Sequence, residues 1–411
     1  SVVVIRGDDI GSDMTLSGFT IQNGTPWGDY GGGITIENQI SPLLTDLIIQ
    51  NNTTRYAGGG ICVKTGSQLR LSNSIIRYNQ TVENQGHVNG GGIFTGGGQH
   101  SFIHNVEVYD NFAAGRGGGI CSSGQLTITN SVIRNNTCGE QANGIYGWSL
   151  NMYNCVVTQN GWGPDNDTGF NGTLAVSLDG ASRIWNSIVW GNHIGDGDSN
   201  IGVSGNSSSI DYSIIEFGIE SAFTNPAIVE WGTHNVDQDP QFNDPDNYDF
   251  TPNPQTAGHV LNNGDPNQFY NNSDGTQNHI GHTGGLGIVV TPTELDYGNM
   301  SVGYDLAKSV QVINNTEEEL TLSAINSSSG EFDIVGWQSL PITIGSLDSR
   351  GLDLQFLHTS TGSKSVTTQF DLEPYSNDGF ISATAVAYDL PSGDILVPTY
   401  FSTIQLALDI I

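Results

Sequence analysis

The side chains able to do chemistry are few and widely spread. Arg77, Tyr109 and Arg134 fall at equivalent positions of three successive repeats, a tyrosine flanked by two cations. Elimination from an acidic sugar needs such a set, a cation to neutralise the carboxylate and a base to take the proton. The same residues also describe a solvent face relieving negative charge, which is the reading adopted. An inverting glycosidase would need two carboxylates about 6.5–9.5 Å apart. Asp8-Asp9 and Asp196/Asp198 are the tight acidic pairs of the repeat region, and no Arg-x-Lys string accompanies either. Asp244, Asp246 and Asp249 could offer alternating oxygens to a hard cation, so calcium is the candidate cofactor and no other is implied. The loop glycine and closing glutamate of an EF-hand are missing, and a capping loop held by Asn/Asp turns explains the run equally well. His279 and His282 stand three apart without helical periodicity around them. Trp162 and Asp165 on an insertion, with Trp190 on a neighbouring repeat, form a candidate polysaccharide contact, since indole rings stack on sugar faces. Their plainer reading is an exposed turn and a shielding tryptophan. Arg6-Gly7-Asp8 is too short to carry a function.

What positions these residues is a repeat. Gly31-Gly32-Gly33-Ile34, Gly58-Gly59-Gly60-Ile61, Gly90-Gly91-Gly92-Ile93 and Gly117-Gly118-Gly119-Ile120 begin 27, 32 and 27 residues apart. Between them run Asn73 to Asn79, Asn130 to Asn136, Asn154 to Asn160 and Asn186 to Asn192, with looser copies at Thr45 to Asn51 and Asn105 to Asn111. A fixed period in this range marks a solenoid. One column holds Ile21, Ile48, Ile76, Val108, Ile133, Val157, Val189 and Ile215; the next holds Gln22, Ile49, Arg77, Tyr109, Arg134, Thr158, Trp190 and Glu216. Alternation along a strand makes the first column core and the second solvent. Asn51, Asn79, Asn111, Asn136, Asn160 and Asn192 close six copies. Asparagine suits a left-handed turn between strands and can also stack into a side-chain ladder. The glycines suit a second corner, where φ is positive or Cβ atoms would crowd. The expected product is a parallel β-helix with one coil per repeat.

Composition narrows the partners. The 411 residues carry 42 Asp plus Glu against 11 Lys plus Arg, a formal charge of −31. That balance argues against nucleic acid and anionic membrane surfaces, and suits an extracellular milieu. No apolar run of about 18 residues occurs, so membrane insertion is not expected. Four cysteines are no disulfide framework in a chain this long. Cys62 and Cys121 share a repeat position, but Phe94 fills it in the coil between, beyond disulfide reach. Cys155 replaces the serine of its repeat and is expected to be a small core residue.

The alternating Gly-Gly-Gly-Ile strings and the aliphatic-x-x-Asn strings, Ile48 to Asn51 and Ile76 to Asn79 through Val189 to Asn192, resemble the repeats of right-handed β-helix proteins of the polymorphic outer-membrane-protein type. Residues 288–388 show short alternating runs, among them Ile288 to Gly298, Val310 to Thr316 and Leu352 to Phe356. They resemble Ig-like domains of the abnormal-spindle/hydin type. The last stretch, with Val397-Pro398 and Thr403-Ile404-Gln405, is similar to the N-terminal cap of another β-helix. The fold class is therefore all-β: a right-handed parallel β-helix solenoid over 1–220, its closing segment and linker over 221–287, an Ig-like β-sandwich over 288–388, and a cap-like segment over 389–411.

The function these resemblances imply is a secreted or cell-surface bacterial structural or adhesive protein. Val2 and Val4 in the first strand, with Ile395, Val397, Ile404, Leu408 and Ile411 in the cap-like segment, are the candidate subunit interface. Head-to-tail capping would make a heterologous contact and an open filament. Continuation into a further β-helix of a longer chain is the other reading of the same ends. The alternative function is a carbohydrate-active β-helix protein, either polysaccharide-binding, a lyase or a glycosidase.

Overall fold

The computed structural model describes residues 1–7, 14–25, 30–82, 88–161, 174–193, 200–204, 208–219, 229–303, 305–334, 339–357, 359–375 and 378–389. The chain divides into two compact units, Ser1–Pro266 with Asn272–Gly287, and Asn267–Asn271 with Ile288–Ile411.

The first unit is a parallel β-helix. Each coil leaves its glycine string on a first strand, turns a corner into a second, and reaches a third after a tight turn. The first strands include Val3–Arg6, Ile34–Glu37, Ile61–Val63 and Ile93–Thr95; Ile120–Thr129 and Ile145–Tyr153 run straight through the corner and serve as first and second strand together. First and second strands thus join in one 15-stranded sheet, and the third strands form an eight-stranded sheet. Register is kept from coil to coil: Ile34 pairs with Ile61, Ile61 with Ile93, Ile93 with Ile120, and Ile120 with Ile145. The positions stack because parallel strands pair residue for residue, and each inward column is aliphatic. Leu44, Leu71, Ile103, Ile128, Met152, Ile184 and Ile210 fill the second-strand column, all fully buried. Burying one such side chain stabilises by roughly 1.5–3 kcal/mol.

The third-strand register corrects the expected phase at one copy. Ile21 pairs with Ile49, and Ile49 with Ile76, so Ile49 is the core residue and Ile48 is half-buried on the outer side. The asparagine column shifts with it: Asn52, not Asn51, precedes Asn79. The ladder then runs Asn52, Asn79, Asn111, Asn136, Asn160 and Asn192, each side-chain amide donating to the carbonyl oxygen of the next at 2.9–3.0 Å. These asparagines do not make the left-handed turn themselves. The residue before each does, as with Asn51 (φ 55°), Tyr78 (54°), Asp110 (52°), Asn135 (52°) and Gln159 (54°). That turn swings the ladder side chain inward, where it satisfies backbone groups that the corner leaves unpaired.

The glycine corner meets this ladder. Gly58, Gly90 and Gly117 have φ between 65° and 71°. A Cβ on the third glycine would lie about 3 Å from the ladder amide, as with Gly119 and Asn136.

At the turn before the third strand, Asn73, Asn105, Asn130, Asn154 and Asn186 take positive φ. The residue after it is commonly serine, whose hydroxyl accepts a backbone N–H from the preceding coil, as Ser131 does from Val106 at 3.1 Å. Cys155 occupies this place and is fully buried, as its position in the repeat implied. Cys62 pairs with Phe94 and Phe94 with Cys121, and all four cysteines are free and buried. Burial pushes their thiols up to about 12, which makes them poor nucleophiles at neutral pH.

The second unit contains two sheets. Ile288–Thr291, Asp305–Asn314, Asp348–Leu357 and Phe332–Ile334 form one; Glu294–Ser301, Phe380–Tyr388, Gly362–Glu373, Leu320–Ser327 and Ile342–Ile344 form the other. Pairing is antiparallel except between Glu294–Ser301 and Phe380–Tyr388. The sheets face each other through Tyr297, whose ring stacks on Phe356 at 5.3 Å and whose hydroxyl donates to the Leu354 carbonyl at 2.6 Å.

Candidate functional site

The outward column of the third strands changes character along the solenoid. It reads Thr20, Ile48, Ile75 and Glu107, then Val132, Val156, Ile188 and Ile214. The last four are buried, covered by Phe250, Ala257, Val260 and Ile280 of the closing segment. This segment returns over the solenoid wall and is held by the turn asparagines. Asn186 accepts from the Asp265 N–H at 2.7 Å, and Asn154 donates to the His279 carbonyl at 2.8 Å. Asn130 donates to the Gly284 carbonyl at 2.5 Å. Trp185 donates to Asp265 at 3.1 Å, and Trp190 is half-buried against the same cluster. Trp162 and Asp165 lie outside the described residues, as do Asp8, Asp9, Asp196, Asp198, Ile395, Val397, Ile404, Leu408 and Ile411.

The cover ends where Glu107 breaks the apolar column. There a cleft of ≈ 290 Å³ opens between solenoid wall and closing segment, bordered by Glu107, Asn130, Arg134, Tyr248, Phe250 and His282. Arg134 was expected on a solvent face, yet its side chain is only 6% exposed. The reason is a segment more than a hundred residues later. The guanidinium carbon lies 3.8 Å from the Tyr109 ring centroid and 4.0 Å from that of Tyr248. Stacking between two rings compensates part of the cost of burying the charge. Nη2 stands 3.6 Å from a Glu107 carboxylate oxygen, and Nη1 has no hydrogen-bond partner. Asn130 Oδ1 and His282 Nδ1 are likewise buried without partners. Arg77, two coils away, donates to Tyr109 at 2.8 Å and to Gln50 at 2.9 Å.

The acidic trio is placed on this closing segment. Asp244 and Asp249 pair across Phe242–Asp244 and Asp249–Pro252, with Asp246 in the turn between. Asp249 accepts from the Thr251 hydroxyl and amide, which hold its carboxyl below the usual range, and Asp244 accepts from Asn247 at 2.8 Å. Among the described residues no group of three or more His, Cys, Asp or Glu is arranged to hold a metal. His279 does not join His282; its Nδ1 accepts from the Asn262 N–H at 3.0 Å.

A second polar cluster was not visible in the spacing. Arg116 donates to the Tyr146 hydroxyl at 3.0 Å, Tyr146 donates to Asp179, and Ser204 donates to the same carboxylate at 2.6 Å. These residues come from four coils, and only the stacking of the coils brings them together. Burial, then Asp179, pushes the Tyr146 phenol up to about 12, so it is a donor at neutral pH and not a base.

His282 and His100 give a pH dependence. Burial pushes each imidazole down to about 4 from 6.5. Between those values the unfolded chain binds more protons than the folded one, so stability falls as pH drops from about 6.5 towards 4. The unfolding free energy from urea titration should decline steeply from pH 7.5 to 5, by roughly a few kcal/mol, and His282→Asn should flatten the slope. A midpoint unchanged between those pH values would contradict neutral burial of both rings.

Stacked coils, register-matched aliphatic columns and an asparagine ladder define the class: a parallel β-helix carrying its own closing segment along one wall. Residues 1–207 match the family described as the right handed beta helix region, about half of the chain, and the chain belongs to that family. No curated protein matches it. Among solved structures it is similar to the ASH/PapD-like domain of human CEP192, at 7% identity over 26% of this chain and 88% of that one, with a TM-score of 0.21. WR4, an MSP family member of C. elegans, matches at 13% identity over 25% of this chain and 98% of that one, with a TM-score of 0.19. The secreted serine protease VesC of Vibrio cholerae matches at 17% identity over 26% of this chain and 24% of that one, with a TM-score of 0.21.

Proposed function

We propose that the protein is a secreted or cell-surface structural and adhesive protein, in which the β-helix is a stiff scaffold and residues 288–388 an Ig-like spacer. The observation that carries this reading is the use made of basic side chains. Arg6 and Lys64 both bind Glu37, which tie three coils together and hold its carboxyl below the usual range, Lys64 first. Arg77 links Gln50 to Tyr109, and Arg116 links Glu140 to Tyr146. Cations used as ties from coil to coil stiffen a rod. A strong negative charge keeps such a rod soluble outside the cell.

Assembly head to tail is part of the proposal. Val3–Arg6 pairs with Ile34–Glu37, while Val2 and Val4 are 51% and 45% exposed beside that edge. An edge with apolar side chains on its outer face favours strand addition. Residues 390–411, the proposed partner of this edge, lie outside the described residues. Negative-stain microscopy with light scattering, on the full chain and on one ending near Asp389, tests the contact. Long oligomers or filaments that vanish on truncation are expected; monomers in both samples would sink it.

A further inference from the structure

The stretch 278–285 fastens the closing segment to the solenoid wall. Asn154 and Asn278 exchange side-chain bonds at 2.9 and 3.2 Å, and the Gly281 N–H donates to the Asn186 carbonyl at 2.7 Å. Asn154 and Asn130 reach the His279 and Gly284 carbonyls on either side. Ile280, between two histidines, is buried in the same cluster as Val132, Val156, Ile188 and Ile214.

This attachment differs from the bonding inside the solenoid. Coils share parallel main-chain ladders, so opening one breaks bonds to the coils before and after it. The closing segment is built of turns and one two-stranded sheet, and from Pro245 on it meets the wall chiefly through side chains. Segments tied in this way belong to the low end of local stability.

Geometry holds both histidines neutral. His279 Nδ1 accepts from the Asn262 N–H at 3.0 Å, with the Asn272 amide at 3.3 Å, so a proton there would set donor against donor. His282 Nδ1 is buried without a hydrogen-bond partner. Around His282 stand Arg134 and Glu107 from the wall and Tyr248 and Asp249 from the hairpin. Glu107 faces Arg134, and Asp249 is bonded by Thr251. Asp274 is the carboxylate acting on His279. Burial outweighs Asp249 and Asp274 and pushes both imidazoles down, His282 to about 4. Thr251 and Thr276 hold those two carboxyls below the usual range, so neither changes charge between pH 7.5 and 5.

We propose that the closing segment is an acid-released strap. At mildly acidic pH His279 and His282 take up protons, the stretch 278–285 leaves the wall, and Val132, Val156, Ile188 and Ile214 are bared while the coils stay wound. An apolar column bared only in acid is a switchable surface for association. The inference goes beyond the scaffold reading and does not depend on it.

Hydrogen exchange read by mass spectrometry on the full chain tests it, at pH 7.5 and 5.0 with correction for intrinsic rates. Protection of the Ile280 and Gly281 amides should fall roughly tenfold or more at pH 5.0. The amides of Ile120–Thr129 should keep theirs. Fluorescence of 8-anilinonaphthalene-1-sulfonate should rise at pH 5.0 and fall again on return to 7.5. His282→Asn leaves the His279 bond to Asn262 in place, and should lose less protection on acidification than the parent. His100→Asn, which alters a buried histidine of the coils, should lose as much as the parent. Equal protection of Ile280 and Gly281 at both pH values in the parent chain would overturn the inference. Loss in step with Ile120–Thr129, or a fall in His282→Asn as large as the parent's, would overturn it too.

Discussion

Asn136→Ala is expected to lower the stability of the β-helix by roughly 3–6 kcal/mol, a large part of what holds a domain folded. The side chain is fully buried. Its Oδ1 accepts from the backbone and side-chain amides of Asn111 at 3.1 and 3.0 Å. Its Nδ2 donates to the carbonyls of Val108 and Arg134 at 2.9 and 2.8 Å, and to Asn160 at 3.0 Å. Alanine therefore orphans an N–H and two carbonyls in the interior, and breaks a chain of amides that polarise one another. Asn51→Gly is the control, because Asn51 is exposed, off the ladder and left-handed. It should change stability by less than about 1 kcal/mol. Urea denaturation measures both, and hydrogen exchange at the Asn111 amide reports the lost bond directly. An Asn136→Ala protein within about 1 kcal/mol of the parent would mean the ladder is ornamental.

The ladder also shows where the sequence was legible. Ile76, Val108, Ile133, Val157 and Val189 each have a polar or bulky follower and an asparagine three residues on, so their phase is unambiguous. Ile48-Ile49 and Asn51-Asn52 are doublets that satisfy either phase. Only inter-coil bonds choose, with Asn52 donating to the Ile21 carbonyl at 3.0 Å and to Asn79 at 2.9 Å. The turn was legible in kind but not in position, because a left-handed residue and the inward asparagine after it occupy one short string.

The cleft was not legible, for a different reason. Period-two alternation tells which side of a strand a residue faces, not what later covers that side. Arg134 and Thr158 read as solvent-facing and are buried, because the closing segment returns over their coils. One trace of this was present: Val132, Val156, Ile188 and Ile214 are apolar in a column that should be polar. An apolar run on an outer face asks for a cover, and Glu107 marks where the cover stops.

Gly118→Ala is expected to be at least as damaging as the loss of a ladder asparagine, for a purely steric reason. A Cβ there would lie 2.3 Å from the Thr137 carbonyl oxygen and 2.4 Å from that of Asn143. Both are backbone atoms, Thr137 later in the same coil and Asn143 at the start of the next, and no rotamer relieves the overlap. Thr137 is itself fixed, its N–H bonded to the Asn111 carbonyl at 3.0 Å. The coils must then separate locally beyond the ~4.8 Å strand spacing, which strains the ladder bond between Asn111 and Asn136 on one side and the Ile120–Ile145 pairing on the other. Gly258→Ala makes the comparison, since a Cβ there meets nothing within 4 Å and φ is not positive. It should leave the melting temperature within a degree or two, while Gly118→Ala lowers it by about 6 °C or more. Equal melting of the two variants would show that the coil spacing is soft. The stiffness on which the scaffold reading rests would fall with it.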